Sequence, residues 1–200
     1  MNDVNNKWLW LYRGTAVFLI TFLFLIILIQ QGVFDPKPIG QPIYTQAINS
    51  TLTAEAYSTN IQWLPVSLPK GAYTIMLTAN WQEGDNFSAY GMVVGSDDAY
   101  TAVLVSPLGY TAVTQNQKQL LPFQPWPHIK TGHATNEIWL DVTGSQMRIR
   151  LNKELLWSGD VAPPDGNVGL VATAFAETAV FRFQHLAITH TNYKQLESGD

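Results

Sequence analysis

The stretch that most constrains this chain is residues 14–29, GTAVFLITFLFLIILI, an apolar run interrupted by two threonines and by no charge. As a helix it covers about 24 Å at 1.5 Å per residue, a little short of the roughly 30 Å hydrocarbon core of a bilayer. Trp8-Leu9-Trp10-Leu11-Tyr12 makes up the difference: these aromatics suit a headgroup interface, and Arg13 can snorkel back to it. The expectation is one membrane helix over residues 8–30. A cleaved signal peptide is the rival reading. It needs a shorter apolar region closed by a small-x-small site, whereas this run ends in Ile27-Leu28-Ile29-Gln30-Gln31. Lys7 and Arg13 precede the span and Asp35 is the first charge after it. The positive-inside rule then sets residues 1–7 in the cytoplasm and residues 31–200 on the periplasmic or extracellular side of the cell membrane.

The remainder is long enough for one domain with a substantial core. There is no cysteine, which excludes a disulfide scaffold, a thiolate metal site and a cysteine nucleophile. A net charge of −4 argues against nucleic acid, which calls for a basic stripe. Charged residues make up only 13% of the chain, against about 25% in ordinary soluble domains. Setting aside residues 1–30 removes only Asp3, Lys7 and Arg13. Two readings fit: a polar, uncharged β surface, or a surface partly covered by other proteins, since interface cores are depleted in charge.

Pro36, Pro38 and Pro42 favour an extended spacer over residues 31–43. From Tyr44 onward no segment shows a helical period. Short alternating or β-branched runs recur between Gly, Pro, Asn and Asp. They predict strands near 51–57, 72–81, 89–95, 100–105, 110–115, 137–143, 146–152, 168–175 and 180–189. The fold class expected is all-β, an antiparallel sandwich or jelly roll over residues 44–190, preceded by the single transmembrane helix. Residues 191–200 form a polar tail.

Two hairpins follow residue by residue. Gly144-Ser145 is a two-residue link with Gly first, which suits a type II′ turn. That register pairs Val142 with Met147, Leu140 with Ile149 and Ile138 with Leu151 on an apolar face. On the other face it pairs Asp141 with Arg148 as an ion pair and Trp139 with Arg150 as a cation–π contact. Ser106-Pro107-Leu108-Gly109 suits a type I turn. Its flanks echo one another, Tyr100-Thr101-Ala102-Val103 and Tyr110-Thr111-Ala112-Val113, as neighbouring strands in similar surroundings would. Residues 121–127, LPFQPWP, cannot form a central strand. They predict a loop presenting Phe123 and Trp126, either capping the core or offering a platform.

The pattern from Ala89 to Ile188 resembles a concanavalin A-like jelly roll of the laminin-G-like and glucanase-like sort. The residues that carry it include Tyr90-Gly91-Met92-Val93-Val94, Asn136-Glu137-Ile138-Trp139-Leu140-Asp141-Val142, Met147-Arg148-Ile149-Arg150-Leu151-Asn152 and Gly166-Asn167-Val168-Gly169-Leu170. Lys153 stands where such domains usually have glycine after the asparagine. The resemblance implies the fold; lectins, glycosidases and interaction modules all share it.

A retaining glucanase needs two carboxylates about 5 Å apart. Glu137 and Asp141 are the nearest candidates, and four residues along a strand separate them by roughly 13 Å. The pairs His128/His133 and His185/His190 have a five-residue offset that puts the partners on opposite strand faces, so no zinc site is expected. Asp97-Asp98 and Asp85-Asn86 read as turn-forming acids rather than calcium ligands. Asn49-Ser50-Thr51 and Asn86-Phe87-Ser88 match the N-glycosylation pattern. No catalytic residue and no cofactor is expected.

The first expectation is therefore a non-catalytic accessory or docking subunit of a larger membrane complex, with the bilayer and neighbouring subunits as partners. The alternative is a cell-surface glycan-binding module in which aromatics stack on sugar rings. The contact residues expected are Phe123, Trp126, Trp139 and Trp157, with Trp81 as a further candidate for stacking.

Overall fold

The computed structural model describes residues 2–31, 33–38, 40–116 and 118–191, with the backbone alone for residues 2–12 and Thr191. The chain divides into two compact units, Met1–Lys37 and Pro38–Asp200.

The first unit is built on helix α1, Asn2–Gln30. The expected helix is present, and it extends back through the polar residues expected to stay outside it. Its window Arg13–Gln30 is long and apolar enough to cross a membrane. Phe18 and Phe22, one turn apart, stack at 6.3 Å, and the Thr21 hydroxyl donates to the Val17 carbonyl at 2.9 Å, the back-bond that hides a hydroxyl within an apolar helix. The side chains of Trp8, Trp10 and Tyr12 lie outside the described residues.

The second unit is the expected antiparallel β-sandwich. Its strands are β1 (Gln41–Ala54), β2 (Thr59–Ser67), β3 (Ala72–Gly84), β4 (Ala89–Gly95), β5 (Tyr100–Val105), β6 (Tyr110–Gln115), β7 (Lys118–Pro125), β8 (Asn136–Thr143), β9 (Gln146–Leu151), β10 (Glu154–Gly159), β11 (Asn167–Thr173) and β12 (Ala179–Thr191). Sheet A has the order β1-β12-β3-β8-β9-β10 and sheet B the order β2-β11-β4-β5-β6-β7. Three strands were not foreseen: β2, β7 and β10. All three are sheet edges, where Pro65, Pro122 and Pro125 cost no ladder bond on the open side. Residues 118–125 are thus an edge strand rather than a loop. β1 begins at Gln41, so the stretch before the sandwich is shorter than the spacer expected over 31–43.

The core forms where alternating side chains of the two sheets meet. Ile75, Leu77, Ile138, Leu140, Ile149, Phe181 and Phe183 of sheet A face Tyr90, Met92, Val103, Val105, Val113 and Leu170 of sheet B, all fully buried. Truncating one such side chain to alanine costs about 2–5 kcal/mol.

The β8–β9 hairpin has the expected register, from Ile138↔Leu151 to Thr143↔Gln146. Gly144 takes φ 59°, as the first position of a type II′ turn requires. The polar face differs from expectation. Asp141 pairs with Arg150, Nε to Oδ2 at 3.3 Å, and Arg148 donates to Gln146 at 2.7 Å. Arg150 therefore turns toward the carboxylate diagonal to it instead of the Trp139 ring, because a charged acceptor outbids an aromatic face for a guanidinium. The Ser106–Gly109 turn is also present: the Gly109 amide donates to the Ser106 carbonyl at 3.0 Å, and β5 and β6 pair as neighbours. Asn152 and Lys153 both take positive φ, 51° and 76°, so the lysine adopts the left-handed backbone that glycine usually supplies.

Candidate functional site

In sheet A the face turned away from the core carries Glu137, Asp141, Arg148, Arg150 and Arg182. The corresponding face of sheet B is different. Its four central strands β11, β4, β5 and β6 present Val171, Val93, Ala102, Leu104, Tyr100, Thr114 and Tyr110, and no charged side chain. Val93, Ala102 and Val171 are buried there under Ile61, Trp63, Tyr100 and Leu104. Trp63 lies across Gly169, where a Cβ would meet its ring at 2.9 Å. Its indole N–H donates to Asp97 at 2.6 Å, which fixes the ring on the sheet.

Two cavities open on this face. One, of about 160 Å³, is lined by Ile61, Tyr100, Ala102, Leu104, Val171, Phe175 and the threonines 59, 114 and 173. The other, of about 240 Å³, is lined by Phe87, Ser106, Leu108, Tyr110 and Phe123. Leu104 on β5 lines the first and Ser106, just past the end of β5, lines the second. Tyr110 and Phe123 stack with centroids 5.7 Å apart and planes 7° from parallel.

The antiparallel register gathers the exposed aromatics at one end of the sandwich. The β1–β2, β3–β4, β5–β6 and β11–β12 connections all lie there, opposite the end at which β1 begins. Tyr57 (84% exposed), Phe87 (64%), Leu108, Tyr110, Phe123 (43%) and Phe175 sit on or beside these connections. A buried carboxylate sets two of them. Asp85 accepts from the Phe87 amide at 2.8 Å, the Phe175 amide at 3.0 Å and the Ala176 amide at 2.8 Å. Burial alone would raise the Asp85 carboxyl, but the backbone N–H groups of Ala176, Phe87, Phe175 and Glu177 outweigh it and hold the group below the usual carboxylate range.

The loop from Trp126 to Thr135 is fastened at the same end by asparagines. Asn136, fully buried, accepts from the Lys130 amide at 2.9 Å and donates to the Lys130 carbonyl at 2.8 Å and the Tyr90 hydroxyl at 2.9 Å. Asn152 donates to the His128 carbonyl at 2.7 Å, and Asn80 to that of His133 at 2.9 Å. Burial, opposed by the Asn136 hydrogen bond, pushes the Tyr90 hydroxyl up to about 12.

Of the residues singled out in the sequence, Phe123 lines a cavity. Trp126 is half-buried against the core with its ring 5.5 Å from His128. Trp157 is half-buried and packs on the core. Trp139 is only 3% exposed, with its indole N–H donated to Glu137 at 2.5 Å, so it presents no face to a ligand. Trp81 stacks on His133 at 4.5 Å and leans on the core. His190 bonds the Lys70 carbonyl at 2.7 Å. No group of three or more His, Asp or Glu placed to hold a metal occurs among the described residues. The site residues not foreseen are Trp63, Tyr100, Tyr110, Phe87 and Phe175. Cavities lined by aliphatic groups, aromatic rings and hydroxyls can bind a flat ligand that has one apolar face and many hydroxyls.

No family model matches the chain, and no curated protein matches it. The likeness is to solved structures. A carbohydrate-binding module from Bacillus subtilis, CBM66, aligns with 73% of this chain and 95% of its own, at 12% identity and a TM-score of 0.54. A fructosyltransferase from A. japonicus aligns with 75% of this chain at 11% identity and a TM-score of 0.53. A GH43 protein from Bacillus licheniformis aligns with 70% at 10% identity and a TM-score of 0.52. This chain spans 26% and 32% of the length of those last two. At such identities the likeness establishes a shared two-sheet sandwich. It also corrects one expectation. The missing acidic pair led to the exclusion of catalysis, yet enzymes are prominent among the solved proteins with this sandwich, so the lack of one acidic arrangement does not make the chain non-catalytic.

Proposed function

We propose that this chain is a membrane-tethered glycan-binding protein, with the bilayer and a glycan as its partners. α1 anchors it, the sandwich is of the concanavalin A-like kind, and the outer face of sheet B receives the sugar. The observation that carries this reading is the pair of charge-free cavities, one lined by Tyr100 and Phe175 among others and the other by Tyr110 and Phe123. The likeness to a carbohydrate-binding module supports it. The docking-subunit role drawn from the low charge content gives way to it, because uncharged and aromatic side chains line the cavities on the outer face of sheet B. Lys7 and Arg13 ahead of the span favour a cytoplasmic N-terminus and an extracytoplasmic sandwich.

The full chain in lipid nanodiscs, applied to a glycan array, tests the reading. Binding is expected for at least one glycan class. The double variant Tyr100→Ala/Phe175→Ala is expected to weaken it at least tenfold in a chain that still unfolds cooperatively. An array that stays dark, or binding indifferent to the double variant, sinks the reading. Retention of the chain in membranes washed with alkaline carbonate tests the anchor, and release into the wash counts against it.

A further inference from the structure

We infer that the sheet B groove selects uncharged glycans and rejects uronates and other acidic sugars; this rests on the glycan-binding reading above. The first ground is the lining. None of the residues around either cavity is Asp, Glu, Lys, Arg or His. An anionic sugar seated there loses water without gaining a cation, and an unpaired charge taken out of water is costly.

The second ground is the direction of the hydroxyls. Thr173 donates to the Ser58 carbonyl at 3.2 Å. Its oxygen lies 3.0 Å from that of Thr59. A hydroxyl has one proton and two lone pairs. Either hydroxyl can donate between Thr59 and Thr173; when Thr173 donates to the Ser58 carbonyl, the Thr59 proton goes to Thr173. The Thr59 oxygen is then left as an acceptor. A sugar hydroxyl can donate to it, whereas a carboxylate or sulfate would meet lone pairs. The anchored ring of Trp63 and the stacked Tyr110–Phe123 pair add apolar surface at the margins and no positive charge.

The test uses polymers matched in sugar and differing in charge. The full chain in nanodiscs is measured by biolayer interferometry against galactan and polygalacturonate, and against mannan and polymannuronate. The neutral member of at least one pair is expected to bind ten or more times tighter than its acidic counterpart. The chain carries a net charge of −4, which repels polyanions over long range, so the comparison is repeated at about 0.5 M salt, where such repulsion is screened. Discrimination by the groove persists there. Thr59→Lys, at an exposed edge-strand position, places a cation beside the groove and is expected to narrow the gap to under threefold. Equal or tighter binding of the acidic polymers overturns the selectivity while leaving glycan binding intact. Failure to bind any of the four, together with a dark array, overturns the glycan reading itself.

Discussion

The two sheets obey the same rule on the inside and opposite rules on the outside. Sheet A turns charges outward and gives them polar partners: Asp141 accepts from Thr74 at 2.6 Å and from Arg150 at 3.3 Å, and Arg148 donates to Gln146. Sheet B is apolar on both faces along its central strands, and β4 is buried at every position. A sheet with one solvated face needs only alternation. One apolar on both faces has its second face covered or in use. The contrast makes the outer face of sheet B the place to look for function.

Introducing a charge on each face breaks the comparison most sharply. Val93→Asp buries a carboxylate beside Trp63 with no cation to meet it. It is expected to cost about 3–5 kcal/mol, comparable to orphaning a buried charge, and urea unfolding measures it. An effect below about 1 kcal/mol would mean that water reaches this face freely and that its apolar character is incidental.

Next in size is Asp85, which joins the Phe87 and Phe175 connections. Asp85→Ala removes an acceptor shared by three backbone amides and is expected to cost about 2–4 kcal/mol. Because the folded carboxyl lies below its unfolded value of about 3.9, its contribution is fully present above that pH. It is lost as pH falls through the lower folded value. The wild type therefore loses melting temperature steeply below about pH 4, and Asp85→Asn flattens that slope. Equal slopes would remove Asp85 from the acid response. Phe123→Ala is smaller for stability, under about 1 kcal/mol for a half-exposed ring. If the rim binds glycan, it weakens binding several-fold; if binding is unchanged, the groove ends at Tyr100 and Phe175.

The parts of this molecule that could be read from sequence are those where the two faces differ. The β8–β9 hairpin is written in Ile138, Leu140, Val142 against Leu151, Ile149, Met147, a face that a one-residue slip would turn to solvent; the charges opposite did not give their own partners, since Arg150 rather than Arg148 meets Asp141. Sheet B offers no such check. AYGMVVG and YTAVLV are apolar at nearly every position, which marks a strand but not which face has a use. The edge strands β2, β7 and β10 were hidden by prolines or by weak alternation. Trp139 was misjudged because alternation sets it on an outward face. The face is outward, yet the ring is covered, and only the packing around it reveals that. Tyr100 and Phe175 come to line one cavity, and Trp63 to pack with Tyr100 over Val93, through pairings such as Gly169↔Trp63 and Val171↔Gly91, which join segments distant in the chain. Continuous apolar runs in β4 and β11 were the available signal of a doubly buried sheet.

The smallest effect separates two rivals on sheet A. Pairing by register sets Arg148 directly opposite Asp141, but Arg150, one position along the diagonal, makes the contact. The Arg150 side chain is 22% exposed and that of Asp141 8%, so their coupling should exceed that of a fully solvated pair and reach about 1 kcal/mol. A double-mutant cycle on Asp141→Ala and Arg150→Ala is expected to return that value, falling as salt rises. The same cycle with Arg148→Ala is expected to return roughly zero, because Arg148 is exposed and already bonded to Gln146. If the two cycles exchange values, direct opposition governs the charges on this face. Sheet A would then owe its outer surface to pairing alone, as an ordinary solvated sheet does.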